Sequence, residues 1–225
     1  MTYAVSDIHG CYDKYTRLLE KINFSDEDTL YVLGDTVDRG PDGIKILLDM
    51  FERKNVIPLR GNHDHLALKL LRLTVDPGTV SDDILELSKM WFTDGGTPTY
   101  KAFKALTKPE KKKLLSYMGT FFFFQDIEVG SQRFFLSHTV PEMAKMQDME
   151  SFSLLEFVVG EPEYDKVYFE DRIIVTGHTP TALIDEEYDG RIYKANNHIA
   201  IVCGAVFGSP LGCICLDTLE EFYVE

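Results

Sequence analysis

The sequence has no long hydrophobic run. None of its apolar stretches approaches the 18 or more residues that a membrane-spanning helix needs, and the longest aromatic run is FFFF at 121–124. The first residues, MTYAVSDIHG, contain neither the basic segment nor the cleavage site of a secretory signal, and they are typical of a first β-strand. We therefore expect no membrane partner and a cytoplasmic location.

Cysteine and positive charge are also scarce. The four cysteines lack C-x-x-C spacing and are too few for a disulfide scaffold, so we expect reduced thiols. Thirty-seven acidic residues against 23 basic ones give a formal net charge of −14, which repels nucleic acid and anionic membranes. We therefore expect no nucleic-acid partner, and a phosphate-bearing substrate would have to be attracted locally.

Five strand-like runs each end in side chains that can titrate or bind a metal. They are YAVS before Asp7 and His9, TLYVLG before Asp35, VIPLRG before Asn62, RFFLS before His138, and RIIVTG before His178. Helical periodicity separates the first three runs, so the order β-α-β-α-β predicts a largely parallel sheet. Because ligands bind at the carboxyl ends of parallel strands, we expect these polar groups to converge.

The stretch 65–125 has mainly helical periodicity, with breaks at DPG (76–78) and DGGTP (94–98). We interpret it as an insertion that caps the crevice within a single domain of residues 1–225, a length that one large domain can have. The C-terminal stretches HIAIVCGAVFG and GCICLDTLEEFYVE predict short strands that complete a second sheet or extend the first.

The groups at the strand ends are oxygen and nitrogen donors without a thiolate among them. Manganese, iron, zinc or magnesium ions take such ligands, whereas a structural zinc site more often offers cysteines at short spacing. Six donors suit two ions better than one. The candidate metal ligands are Asp7, His9, Asp35, Asn62, His138 and His178.

Five motifs at these positions resemble those of the calcineurin-like metallophosphoesterases. They are DIH at 7–9, GDTVDRG at 34–40, GNHD at 61–64, SH at 137–138 and GHTP at 177–180. Within that family, the chain is similar to the branch that holds serine/threonine phosphoprotein phosphatases and bacterial symmetrical diadenosine tetraphosphatases. The resemblance implies an α/β (α+β) fold, a four-layer α-β-β-α sandwich of two mixed sheets with a helical insertion.

The resemblance also implies how the donors divide between two divalent ions. Asp7 and His9 would hold one ion, and Asp35 would bridge it to the other. The remaining three candidate ligands would hold that second ion. Manganese is the expected metal, with iron, zinc or magnesium as alternatives, and the pair would activate a hydroxide for attack on phosphorus.

Four further roles follow from the same resemblance. His63 is similar to the general acid that protonates the leaving oxygen, and Asp38 would orient and charge-stabilise its imidazole. Arg39 is similar to the phosphate clamp of the family, because a planar guanidinium can engage two oxygens at once. Asn62 would contact the phosphate as well as a metal.

One expected arginine is missing. Protein phosphatases carry a second phosphate-binding arginine between their last two histidine motifs, where this chain has only Arg172. Arg172 begins a strand whose far end carries His178, which predicts that its side chain points away from the site. Arg60, directly before Gly61, is the candidate replacement.

Three hypotheses about function stay open. The first is a serine/threonine protein phosphatase acting on phosphoproteins, because tetraphosphatases often lack an acid at the position of Asp38. The alternative is a diadenosine tetraphosphatase or another small-molecule phosphoesterase, since Trp91 and the following glycine pair resemble a substrate-side insertion found in both bacterial groups. A hypothesis from another class is a catalytically silent binding module. Nothing in the sequence indicates the oligomeric state.

Some polar and aromatic residues have simpler interpretations. His65 and His198 lie outside the motifs and are interpreted as structural or exposed side chains. Asp64 could be a helix-start residue, which the positive end of the helix dipole favours. The FFFF run is interpreted as core.

Overall fold

Ten β-strands form two five-stranded sheets in the part of the chain that the computed structural model describes, residues 1–77, 81–146 and 153–225. They are β1 (Thr2–Val5), β2 (Thr29–Val32), β3 (Val56–Pro58), β4 (Phe124–Val129), β5 (Gln132–Ser137), β6 (Ile173–Pro180), β7 (Tyr193–Ala195), β8 (His198–Val202), β9 (Leu211–Cys215) and β10 (Glu221–Val224). The first sheet has the order β10-β9-β1-β2-β3, and the second has the order β4-β5-β6-β8-β7.

Both sheets are mixed. β1, β2 and β3 are parallel, as the β-α-β-α-β pattern predicts, and β9 and β10 continue the same sheet in antiparallel pairings. In the second sheet β5, β6 and β8 are parallel, while β4 and β7 pair antiparallel at the two edges. The C-terminal stretch was expected to complete a second sheet or to extend the first. It does both, because β8 lies in the second sheet and β9 and β10 extend the first.

The helices are mostly short and amphipathic. Within the described residues they are α1 (Tyr12–Lys21), α2 (Gly43–Glu52), α3 (Asn62–Val75), α4 (Asp82–Thr93), α5 (Thr97–Ala105), α6 (Lys108–Gly119), α7 (Met143–Met146), α8 (Glu156–Val159) and α9 (Thr181–Ile184), with 3-10 turns at Glu186–Tyr188 and Ala205–Phe207. Among these residues, no helix has both the length and the apolar character that crossing a membrane requires.

The two sheets face each other across a shared apolar core. Ala4 and Ile214 of the first sheet pack with Leu136 and Val175 of the second. Separate clusters join the first sheet to α1 and α2, and the second sheet to α8. Each fully buried aliphatic side chain contributes about 1.5–3 kcal/mol, so these three layers of contact stabilise the stacking. The predicted four-layer sandwich of two mixed sheets is confirmed.

Helices α3 to α6 lie between β3 and β4 and pack around Trp91 and Phe103. Their role as a cap over the crevice stays a prediction. The interpretation of FFFF as core is wrong in part, since Phe121 is 3% exposed but Phe122 and Phe124 are 49% and 37% exposed. The reason is topological: Phe124 begins β4, an edge strand whose side chains alternate between the sheet and solvent.

Candidate metal centre

The six candidate metal ligands lie together where strands of both sheets end. The first sheet supplies Asp7, His9, Asp35 and Asn62, and the second supplies His138 and His178. The stacking of the two sheets brings the two sets face to face. The polar strand ends therefore converge as the sequence predicts, but they do so between two sheets.

Asp35 is the centre of the cluster. Its Oδ2 lies 3.5 Å from His9 Nε2, 3.6 Å from His138 Nε2 and 4.0 Å from His63 Nε2. Two groups of three buried side chains each hold ligand atoms within 4.8 Å of one another, namely His9 with Asp35 and His63, and Asp7 with Asp35 and His138. Because one carboxylate belongs to both groups, the arrangement suits two ions that share a bridging ligand.

Asn62 and His178 crowd the other side of His138. Asn62 Oδ1 lies 2.9 Å from His138 Nε2 and 3.1 Å from His178 Nδ1, and the two imidazole nitrogens are 3.1 Å apart. An amide oxygen and an unprotonated imidazole nitrogen are both acceptors, and a cation between them would accept from all three atoms at once. Their role as ligands of one ion stays a prediction with which this spacing is compatible.

The imidazoles are held in the tautomer that metal binding requires. His9 Nδ1 donates to the Val37 carbonyl oxygen and His138 Nδ1 to the Leu33 carbonyl oxygen, each at 2.8 Å. A carbonyl can only accept, so both Nε2 lone pairs face the cluster. Burial lowers the pKa of His9 to about 4 and that of His138 to about 3, which keeps both rings neutral at pH 7.

The carboxylates also favour a cation. Burial raises the pKa of Asp35 well above its usual range, and the neighbouring Asp7 and Asp64 raise it further. A divalent ion among these groups would remove that penalty by neutralising them. Arg39 Nη1 lies 2.7 Å from His9 Nε2, so a cationic group already contacts the lone pair that a metal would take. The residues present therefore fit a pair of divalent ions.

Backbone strain is concentrated in the same place. Among the described residues, ten that are not glycine have a positive φ, and six of the ten belong to this site. Those six are Asp7, His9, Asp35, Asp38, Arg39 and His178. For residues other than glycine, such conformations cost about 1–3 kcal/mol each. They persist where the surrounding structure enforces them and are typical of functional sites.

Two glycines leave room for the carboxylates. A Cβ at Gly61 would lie 2.0 Å from Asp35 Oδ1, and a Cβ at Gly177 would lie 2.0 Å from Ser6 Oγ. Ser6 Oγ donates to Asp7 Oδ2 at 2.6 Å, and the His178 amide donates to the same oxygen at 3.0 Å. One oxygen of Asp7 is thus held by the protein, which fixes the direction of the other.

His63 forms a buried chain with Asp38 and Trp91. His63 Nδ1 lies 2.9 Å from Asp38 Oδ2, and Trp91 Nε1 donates to that same oxygen at 2.7 Å. The Asp38 amide donates to Thr99 Oγ1 at 2.9 Å. His63 Nε2 makes no hydrogen bond within the described residues and faces the cluster. Asp38 thus contacts His63, and its role in orienting the acid stays a prediction. The contacts of Trp91 and Thr99 with Asp38 were not predicted.

Arg39 is anchored by the turn between α4 and α5. Its amide donates to the Gly95 carbonyl oxygen at 2.9 Å, and its Nη2 lies 3.3 Å from Asp94 Oδ1. The other oxygen of Asp94 lies 3.4 Å from His63 Nε2. Asp94 therefore contacts both the candidate phosphate clamp and the candidate acid. The sequence had predicted only a break between helices at DGGTP, with no role for Asp94.

We expect Asp94→Asn to lower KM and kcat together by about two- to five-fold, because the half-exposed pair is worth at most about 1 kcal/mol. Without the charge, Arg39 is freer to bind phosphate, and His63 Nε2 loses the carboxylate that lies 3.4 Å from it. Steady-state kinetics on a phosphoester checks this. Asp83→Asn, which removes an exposed charge from the first turn of α4, is the control and should change neither constant. A rise in KM for Asp94→Asn would contradict the expectation.

The structure does not bring Arg60 or Arg172 to the cluster. Arg60 Nη2 donates to the carbonyl oxygens of Met118 and Gly119 at 3.2 Å each, at the end of α6. Phosphate binding by Arg60 stays a prediction that this placement does not support. Arg172 pairs with Asp171 and Asp126 at the protein surface, so the prediction that it points away is confirmed.

Asp64 binds backbone rather than the cluster. Its two carboxylate oxygens accept from the Thr36 amide at 3.1 Å and the Gly61 amide at 3.2 Å, which ties the first turn of α3 to the chain after β2. Burial raises its pKa to about 6. The interpretation of Asp64 as a helix-start residue is confirmed.

His198 lies in β8, away from the cluster. Its Nε2 is 2.8 Å from Thr176 Oγ1, and the ring packs on Tyr164 with a centroid distance of 4.7 Å. Burial lowers its pKa to about 3. The structural interpretation of His198 is confirmed.

We expect His198 to make the fold less stable in acid. Its folded pKa lies below the unfolded value of 6.5, so the unfolded chain binds the extra proton and stability is lost as the pH falls below 6.5. Urea unfolding should therefore show about 2 kcal/mol more loss between pH 7.5 and pH 5 in the wild type than in His198→Gln. Thr176→Val keeps the imidazole and should keep the pH dependence. Equal losses in wild type and His198→Gln would contradict the assignment.

The stacked sheets and the buried cluster of carboxylates and imidazoles around a shared aspartate define a dinuclear metal-dependent hydrolase. The chain belongs to the calcineurin-like phosphoesterase family, whose sequence model matches residues 2–205. This membership confirms the resemblance drawn from the motifs. It also favours an enzyme over a catalytically silent binding module.

The chain is also similar to curated proteins over part of its length. The symmetrical bis(5'-nucleosyl)-tetraphosphatase of Buchnera aphidicola is 46% identical over 65 residues, which cover 28% of this chain and 24% of that protein. The aligned part therefore spans about a quarter of that relative.

Among solved structures, a provisionally assigned diadenosine tetraphosphatase superposes with a TM-score of 0.65 at 18% identity, covering 99% of this chain and 92% of the other. A serine/threonine phosphatase from Saccharomyces cerevisiae gives a TM-score of 0.58 at 13% identity, covering 94% and 71%. At these identities the superpositions show a shared fold only.

Proposed function

We propose that this chain hydrolyses small phosphoesters and that dinucleoside tetraphosphates are its substrates. The curated relative with 46% identity is named a symmetrical tetraphosphatase, which favours the tetraphosphatase hypothesis over the phosphoprotein hypothesis. The likeness to a serine/threonine phosphatase is one of fold alone. A small, highly charged substrate also needs local attraction in a chain with a net charge of −14, and the metal centre would provide it.

The candidate ligands would hold two divalent ions. Asp7 and His9 would bind one, Asp35 would bind both, and the remaining three donors would bind the second. Two ions at such a site supply Lewis-acid activation of water and neutralise charge on the phosphoryl group. Manganese suits these donors, as do iron, zinc and magnesium.

The observation that carries the proposal is the placement of His63. Asp38 holds its Nδ1 at 2.9 Å, and its Nε2 makes no hydrogen bond within the described residues and lies 4.0 Å from Asp35 Oδ2. An imidazole fixed in this way can present the Nε2 proton to a leaving oxygen beside the metal ligands. Arg39, on the same loop as Asp38, would engage the phosphoryl oxygens.

Water and His63 account for every bond and proton of the proposed hydrolysis. The oxygen of water forms a new bond to phosphorus, and the bond between phosphorus and the bridging oxygen breaks. His63 donates the Nε2 proton to the leaving oxygen, and the proton lost by the attacking water passes to solvent, from which His63 is reprotonated. A symmetrical tetraphosphate therefore takes up one water and gives two nucleoside diphosphates.

A hydrolysis panel tests the proposal. The manganese-loaded protein is given diadenosine tetraphosphate, a phosphoserine peptide and phenyl phosphate, and products are separated by chromatography. We expect kcat/KM to be highest for the tetraphosphate, by about tenfold or more, with ADP as the product. The peptide is the proper competitor because Asp38, which tetraphosphatases often lack, contacts His63 here. Faster turnover of the peptide would overturn the proposal.

A further inference from the structure

A mainly apolar cavity of about 350 Å³ opens beside the candidate acid. The first half of α3 forms one wall, and Asn62 and His63 at the start of this helix are part of the lining. Helix α4 forms a second wall and α8 a third. The cavity is therefore open to the candidate acid, and the rest of its lining has no role in the hydrolysis step.

Three of the apolar side chains in its lining are unusually exposed. Met90 of α4 is 53% exposed, and Leu155 just before α8 and Val159 at its end are 45% and 60% exposed. Large apolar side chains from separate elements that face one recess are typical of a ligand pocket. A ligand that covered these side chains would remove their apolar surface from water, which favours binding.

We propose that this cavity binds the nucleoside of the leaving group. The inference rests on the proposed function and names a subsite for it. The leaving oxygen must depart on the side of the acid that protonates it, and His63 lines this cavity. The organic part attached to that oxygen is therefore directed into the recess. A flat, weakly polar base fits an apolar lining better than the polar backbone of a phosphopeptide does.

Size and charge support the same occupant. The volume lies at the lower end of the range for small-molecule pockets, about 300–1,000 Å³. The lining carries one carboxylate, Asp94, which pairs with Arg39, and one lysine, Lys69 of α3, which can face the phosphates that a nucleoside diphosphate retains. A second recess at Arg39 and Phe207 holds only about 140 Å³ and shares no lining residue with the first, so it is too small for this role.

The single tryptophan provides the readout. Trp91 lines the cavity, so ADP binding should change its fluorescence in a saturable manner, and inorganic pyrophosphate should not reproduce that change. Met90→Glu and Val159→Asp place a carboxylate among the apolar side chains and should each weaken ADP binding about tenfold or more. Leu85→Glu, an exposed position of the same helix outside the cavity, should bind ADP like the wild type.

The outcomes separate the subsite from the proposed function. If Met90→Glu and Val159→Asp fold by circular dichroism and bind ADP as the wild type does, the subsite is wrong even when diadenosine tetraphosphate is hydrolysed. If a phosphoserine peptide changes the fluorescence of Trp91 and loses affinity in these variants while ADP does not, the subsite is also wrong. If ADP binding depends on the cavity but the tetraphosphate is not hydrolysed, the subsite stands and the proposed function fails.

Discussion

Replacing His63 by asparagine is expected to lower kcat by about 10²–10⁴ and to leave the bound metal unchanged. Asparagine can still donate to Asp38, so the buried contact at 2.9 Å has a substitute. It cannot present a proton to a leaving oxygen. The measurement is kcat on diadenosine tetraphosphate together with metal content by elemental analysis.

The matched control is His198→Gln, which removes another buried imidazole at a position outside the cluster. It should retain kcat. Two results would contradict the assignment of His63 as the acid. One is a kcat close to that of the wild type. The other is loss of metal from His63→Asn. The ligand atoms of His63, His9 and Asp35 lie within 4.8 Å of one another, so such a loss would mean that His63 is a metal ligand.

Removing the metals with a chelator is expected to abolish hydrolysis and to lower the melting temperature. An ion present at about 1,000 times its dissociation constant adds about 4 kcal/mol of stability, which is roughly 10 °C for a chain of this size. The physical reason lies in the buried acids. Without cations, the Asp35 carboxylate is buried away from water and faces Asp7 and Asp64; its burial, and after it these two neighbours, raise its pKa.

Differential scanning calorimetry with and without the chelator checks this expectation. Asp35→Asn removes the carboxylate shared by both candidate groups, so its melting temperature should respond weakly to the chelator. An unchanged melting temperature of the wild type on chelation would count against the metal centre. Recovery of activity on adding manganese would show that the loss came from the metal.

Much of the candidate site could be predicted from the chain alone. Asp7, Asp35 and His138 each follow an apolar run, and such runs become strands whose ends meet at an edge. The resemblance of the motifs then supplied His63 and Asp38, which the structure places 2.9 Å apart. The local sequence pattern predicted where each strand ends, because apolar runs and alternation mark the strands directly.

The contacts made across the fold could not be predicted in the same way. Trp91 and Asp94 reach the site because α4 packs over the loop after β2, and helical periodicity gives no information on which loop a helix covers. Arg60 shows the opposite case, since its nearness in sequence to Asn62 suggested a place in the site that the packing does not support. Its guanidinium turns instead to the end of α6 and packs on Phe123. These placements depend on tertiary packing.

The supply of the candidate ligands from two sheets makes the centre depend on nearly the whole length of the chain. Asp7 and His9 follow β1 and His178 lies in β6, while β9 and β10, which complete the first sheet, come later still. Domains generally fold as units. We therefore expect a nascent chain to hold the candidate ligands in place only after β10 has been made.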